Sequence, residues 1–213
     1  PSASPERYAA ALELMRADPQ TRPEERPELD RKLLGVYLGQ LGEPGAAWSA
    51  AQRLLAAEPT DLEARQALGR LAEALGRDGE LADLLSAALA TAPARGAAAG
   101  ELRALATESA VLADKRLGDR AAAERAWRVV LEHEPDAEDA FTALATMVRE
   151  QARYPELREL LERKVAVTVA PARRRAALLE LGALESELLR DPERAVSAYR
   201  QVLDLDLDLD GYG

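Results

Sequence analysis

The chain has 213 residues, of which 47% are hydrophobic, and 28 basic against 38 acidic side chains give a formal net charge of −10. That is apolar material for one or two cored domains. The acidic balance argues against non-specific nucleic-acid binding, which needs a basic surface to displace counterions. Cysteine is absent, which excludes disulfides, thiolate nucleophiles and Cys-ligated zinc. No stretch approaches the roughly 20 apolar residues of a spanning helix.

Aromatic residues make up only 4% of the chain, so the apolar content is mostly Ala and Leu. These are the strongest helix formers, and strand-favouring residues are sparse. The expectation is stacked amphipathic helices with wet outer faces. Lys32, Lys115 and Lys164 are the only lysines; the bias to Arg reads as a GC-rich bacterial genome. The chain begins Pro1-Ser2-Ala3 without Met, so we expect an excised or processed piece. The cytoplasm fits it, and so does the periplasm.

In chain order the pattern predicts eleven helices, near 5–17, 26–41, 44–57, 60–75, 78–91, 96–117, 119–133, 136–152, 155–168, 171–190 and 192–205. Ser4-Pro5, Glu43-Pro44 and Asp191-Pro192 place a proline at a first helical position. Thr60 with Glu63 reads as a capping box. Pro19, Pro59, Pro93 and Pro135 each follow an apolar helical run, and Leu41-Gly42 recurs as Leu75-Gly76 and Leu117-Gly118.

These marks belong to an internal repeat. Residues 42–85 align without a gap on 118–161 at an offset of 76, so that Gly42 meets Gly118, Leu55 meets Leu131, Pro59 meets Pro135 and Leu68 meets Leu144. A third copy follows at an offset of 72, where Asp119 meets Asp191, Ala123 meets Ala195, Trp127 meets Tyr199 and Leu131 meets Leu203. Each 76-residue step holds two helix pairs, one near 34 residues long and one longer.

The pattern resembles the tetratricopeptide repeat, a 34-residue helix-turn-helix unit. Leu34-Gly35, Gly42, Ala47 and Pro59 fit one unit; Leu68-Gly69, Gly76, Ala88 and Pro93 fit the next. Ala123, Trp127 and Pro135 fit a third, Leu144 a fourth, and Ala195 with Tyr199 a fifth. Alternate units carry extra residues around 20–27, 94–101 and 170–173, so half-a-tetratricopeptide and Sel1-like repeats stay open as labels. The Ala/Arg-rich style also looks like large bacterial multi-repeat scaffolds, gliding-motility machinery of soil bacteria included.

The resemblance implies an all-α, right-handed α-solenoid of stacked antiparallel helix pairs, one repeat domain over 1–213. Its units are 26–59, 60–93, 96–135, 136–169 and 171–207. A truncated unit lies before residue 20 and an acidic tail at 208–213. The array is expected to have continued upstream, with a downstream continuation left open. The implied function is a protein-interaction scaffold in which first helices line a concave groove for a partner peptide or helix. The other reading is a structural spacer or self-associating segment, open to homo-oligomer formation, of a large bacterial assembly such as motility or envelope machinery.

In the repeat frame, the groove-facing residues would be Lys32, Gln66, Arg70, Glu73, Glu108, Lys115, Thr142, Thr146, Arg149 and Glu180. The Lys/Asn carboxylate clamp of some family members is not reproduced, because Val36 stands where Asn would follow Lys32. A helical or extended segment of mixed charge is the expected partner, with no nucleic acid and no membrane insertion.

Nothing in the sequence assembles catalytic chemistry, and no cofactor or metal is expected. His133 is the only histidine and sits where a cation complements a helix C-terminus. Gly96-Ala97-Ala98-Ala99-Gly100 lacks the Lys-Ser/Thr of a phosphate loop. Arg173-Arg174-Arg175 reads as a solvated face, with an acidic or phosphate partner as the alternative. Trp48, Trp127 and Tyr199 read as packing knobs rather than a stacking platform. In the tail, Asp206, Asp208, Asp210 and Gly211 match the first positions of a calcium loop, but no later Glu completes it. The period-two alternation there reads as a frayed end.

Overall fold

The computed structural model describes residues 4–210, with side chains as far as Leu205. All regular structure among them is helical. Two compact units are delimited, one ending at Ala123 and the other starting at Glu124. The first contains α1 (Pro5–Ala17), α2 (Arg26–Val36), α3 (Pro44–Ala57), α4 (Leu62–Leu75), α5 (Asp78–Thr91) and α6 (Ala99–Val111). The second is built from most of α7 (Arg120–His133), α8 (Glu138–Glu150), α9 (Tyr154–Val167), α10 (Pro171–Ala183) and α11 (Pro192–Asp210).

Short turns force successive helices to fold back on each other. In the first unit α1 packs on α2, α2 on α3, α3 on α4, α4 on α5 and α5 on α6; α3 also touches α5. In the second, α8 packs on α9, α9 on α10 and α10 on α11. A lone pair cannot bury its apolar stripe, and in the first unit one core runs from pair to pair. Leu33, Leu34, Leu54 and Leu68 are fully buried in the first unit, and Leu144, Leu161 and Leu178 reach 1% exposure or less in the second.

The long first helices end in a way the sequence period did not reveal. α2, α6 and α10 each widen into a π turn, at Tyr37–Leu41, Leu112–Leu117 and Leu184–Leu189. α4 and α8 do not. A π turn absorbs an added residue inside a helix without breaking it. Further added residues form 3-10 turns at Pro23–Glu25 and Pro93–Arg95.

Every first helix closes on a left-handed residue: Gly42, Gly76, Gly118, Ala152 and Arg190. The offsets of 76 and 72 carry Gly42 onto Gly118 and Arg190, and Gly76 onto Ala152. Two copies thus hold a side chain where the backbone favours glycine. Both side chains are exposed. We expect Ala152→Gly and Arg190→Gly each to stabilise the protein by about 0.5–1 kcal/mol, since relief of the left-handed penalty outweighs glycine's extra unfolded-state entropy. Chemical denaturation of the two variants measures this; a lowered midpoint in both contradicts it.

Two details differ from the sequence expectation. The cap of α4 is Asp61, whose carboxylate accepts from the Ala64 N–H at 2.7 Å; Thr60 instead donates to Glu101 at 3.3 Å. Asp61 wins because its shorter link to the first turn satisfies a donor that Thr60, one residue further out, does not reach. α11 runs to Asp210, past the expected end at 205. Leu and Asp there sustain a helix although they cannot form a single apolar stripe. The side chains of the calcium-loop resemblance, Asp206 to Gly211, lie outside the described residues.

Candidate partner-binding face

The candidate face begins on α4. Gln66, Arg70 and Glu73 recur at helical spacing and are exposed, while Ala64, Ala67, Leu68, Leu71 and Ala72 are buried. One side of the helix is core and the other is open. Arg70 and Glu73 have no ion-pair partner among the described residues. α8 repeats the arrangement in the second unit, where Thr142, Thr146 and Arg149 are exposed and Phe141, Leu144, Ala145 and Val148 are buried.

Beside α4 the first unit has an open cleft of about 360 Å³ between α4, α5 and α6. Leu81 and Leu85 of α5 with Leu112 give it apolar walls, and Gln66 and Glu108 stand on its polar margin. Gly69 lines it too, and a Cβ built there meets nothing within 4 Å. The arginines around it are already held. Arg65, with 4% of its side chain exposed, pairs with Glu108 and reaches the Thr60 carbonyl at 3.4 Å. Arg116 Nε donates to Asp78 at 3.0 Å. Gln66, Arg70 and Glu73 are therefore the polar groups left to meet a partner.

The remaining expected residues are distributed as follows. Lys32 is exposed on α2, 3.6 Å from Glu28. Lys115 lies in the π turn after α6, 2.6 Å from Asp114. In the second unit Arg149 pairs with Glu180 of α10, and the Thr146 hydroxyl donates to the Thr142 carbonyl at 2.8 Å. Those polar groups engage one another. His133 is exposed at the end of α7. Arg173 pairs with Asp136 at 3.4 Å. Trp48 and Trp127 are buried, and Tyr199 packs on Gly182. Among the described residues no His, Cys, Asp and Glu cluster could hold a metal ion, and no helix is long and apolar enough to cross a membrane.

Ionic groups inside the pairs were not anticipated. Asp30, 1% exposed, accepts from Arg16 Nε and Arg53 Nε, each at 2.7 Å. Glu124 takes both arms of Arg153, at 2.8 and 3.0 Å, and Arg128 at 2.8 Å. These hydrogen bonds, Arg153's first, hold the Glu124 carboxyl down to about 2. The repeat offsets carried the signal: Asp30 corresponds to Ala106, Arg65 to Phe141 and Glu124 to Trp48. A charge where the other copy is apolar marks a position with a second task.

Helix pairs with glycine-favouring turns at a fixed offset define a tetratricopeptide-like helical-repeat protein. No protein-family model and no curated protein matches the chain. Among solved structures, MamA from Desulfovibrio magneticus RS-1 is similar at 16% identity and a TM-score of 0.42, with 86% of this chain and 97% of that one covered. BtubC from P. vanneervenii is similar at 16% and 0.43, covering 100% and 94%. A protein described as a kinesin light chain of Podosopora anserina, with nearly identical TPR-like repeats, is similar at 18% and 0.42, covering 98% and 99%. At these identities and scores the likeness adds nothing to what the helix pairs themselves show.

Proposed function

We propose that the chain is a protein-interaction scaffold and that the open face of α4, with the cleft beside it, holds an extended or helical segment of a partner. The observation that carries the reading is the combination of an apolar-walled cleft of about 360 Å³, lined by Gln66, with Arg70 and Glu73 exposed further along the same helix. Apolar walls supply area, and a few unspent polar groups fix register. Of the other residues of the repeat frame, Glu108 lines this cleft, and Lys32, Lys115, Thr142, Thr146, Arg149 and Glu180 do not. The units 26–59, 60–93, 96–135, 136–169 and 171–207 remain our proposed repeat frame. No catalytic step is proposed.

The test is affinity capture from the native cell with three baits: the wild-type chain, Gly69→Leu and Arg70→Glu. The side chain added by Gly69→Leu would project into the cleft, where space is open, and Arg70→Glu would reverse a charge that holds nothing else. We expect the principal partner to fall at least tenfold with each variant while circular dichroism and melting stay unchanged. Equal capture by all three baits would sink the face assignment.

A further inference from the structure

The second unit contains a group that the proposed function does not use. Glu185 is the second residue of the π turn after α10 and is 1% exposed. Its Oε2 is buried without a hydrogen-bond partner. Its nearest cation, Arg158 Nε, stands 3.9 Å from Oε1, beyond hydrogen-bond distance. A buried carboxylate oxygen in that condition is costly unless something comes to meet it.

The position is otherwise apolar. The buried residues of α8 at 140, 141, 144, 145, 147 and 148 recur on α10 and its π turn at 177, 178, 181, 182, 184 and 185. Glu185 therefore stands where α8 has Val148, and the offset of 72 sets it against Ala113. Burial alone calls for another Val or Ala here.

Glu185 also lines a cavity of about 320 Å³ between α9, α10 and α11. Val165, Leu178, Leu181 and Ala198 give it apolar walls, and Glu162, Ser197 and Gln201 set polar groups around it. The charged groups about it are Arg158 and Glu162 from α9, and Asp191 and Arg194 at the start of α11. Arg194 is spent on Glu162 at 3.3 Å and Asp191 at 3.5 Å. Three carboxylates thus face two guanidinium groups, leaving one negative charge uncompensated.

The neighbouring crevice shows what such a space can hold. Between α7, α8 and α9 the protein's own Lys164 lines a cavity of about 350 Å³, its side chain only 12% exposed. The Lys164 ammonium lies 3.8 Å from the Phe141 ring centre and 2.6 Å from Glu138. Between α9, α10 and α11 there is the acceptor and the apolar lining, but no lysine.

We propose that the α9–α11 cavity is a binding pocket for the side chain of a lysine carried by a partner protein, its ammonium seated on Glu185. One vacant oxygen suits a compact ammonium better than the fork of an arginine, which seeks two parallel acceptors. The butyl stem would lie along Val165, Leu178 and Leu181, as lysine stems do on apolar surface. None of these residues belongs to the face around α4, so this pocket and that face stand or fall separately. Burial pushes the Glu185 carboxyl up from its ordinary range, with Arg158 and Arg194 opposing. Binding of a cation should therefore weaken as Glu185 takes up a proton.

The probe is a blocked pentapeptide with one central lysine among alanines, alongside versions with norleucine and with arginine. Methyl NMR shifts of Val165, Leu178 and Leu181 give the readout. At pH 7 we expect saturable shifts with a millimolar Kd for the lysine peptide, and binding at least tenfold weaker for each of the other two. Glu185→Gln should weaken the lysine peptide at least tenfold. Should Glu185→Gln fail to fold, the wild-type chain still decides: its preference for lysine over norleucine must shrink as pH falls from 7 toward 5. Equal binding of lysine and norleucine, or a preference unmoved by Glu185→Gln or by acid, overturns the proposal. So does the absence of saturable shifts at 20 millimolar peptide, roughly the limit for a weak site.

Discussion

Replacing Trp48 by Ala is expected to cost about 3–5 kcal/mol, the range for truncating a large buried aromatic. Trp48 is 2% exposed on α3, and its ring also receives the Arg77 guanidinium, 5.5 Å from the centroid. That contact adds on the order of 1 kcal/mol where it is partly desolvated. The core cluster around it is chiefly Ala and Leu. Denaturant unfolding measures the loss, and Trp127, in the second unit, remains as the fluorescent reporter. Because the contact involves no titrating partner, the deficit should be the same at pH 7 and pH 4. A loss below about 1 kcal/mol would mean that the site repacks.

The second large effect falls on the matching position of the next copy. The offset of 76 carries Trp48 onto Glu124 and Arg77 onto Arg153. The same arginine, at the start of α5 or α9, reaches back to a ring in one unit and to a carboxylate in the other. Glu124→Gln is expected to cost of order 1–2 kcal/mol at pH 7. The shift of its carboxyl from 4.5 to about 2 would give roughly 3 kcal/mol by linkage. The Arg128 and Arg153 side chains are 37% and 35% exposed, so solvent screening reduces that figure.

The sign follows from the lowered folded value. Stability from Glu124 is fully present above the unfolded carboxyl range and is lost as pH falls from about 4.5 to about 2. Wild type should therefore lose its advantage over Glu124→Gln across that window, and 1 M salt should narrow the gap at pH 7. Melting curves of both proteins against pH give the comparison. Parallel curves throughout would show that the ionic cluster contributes no net stability.

These two positions show how far the sequence reached. Ala and Leu at helical spacing, with proline and glycine at the pair boundaries, placed all eleven helices, and most ends fell within a few residues. Such signals are local, and the chain reads them within one or two turns. Gln66, Arg70 and Glu73 came from the repeat frame, and all three are exposed on α4. The cap at Asp61 rather than Thr60 lay at the margin, because both residues carry a suitable oxygen.

The partners of the charges belong to the tertiary structure. Trp48 read as a packing knob; only the fold brings an arginine from the next pair against it and against Glu124 at the matching position. Packing buries Arg65 and Asp30 and brings their counterions from 43 and 14 residues away. The π turns after α2, α6 and α10 absorb residues that the sequence showed only as longer alternate units, because helical spacing does not say how an added residue is taken up. Helix identity, turn placement and the repeat thus came from short-range propensity and spacing. The cleft beside α4, the ionic networks and the vacant oxygen of Glu185 came from packing, because each depends on side chains that meet only when separate helices stack.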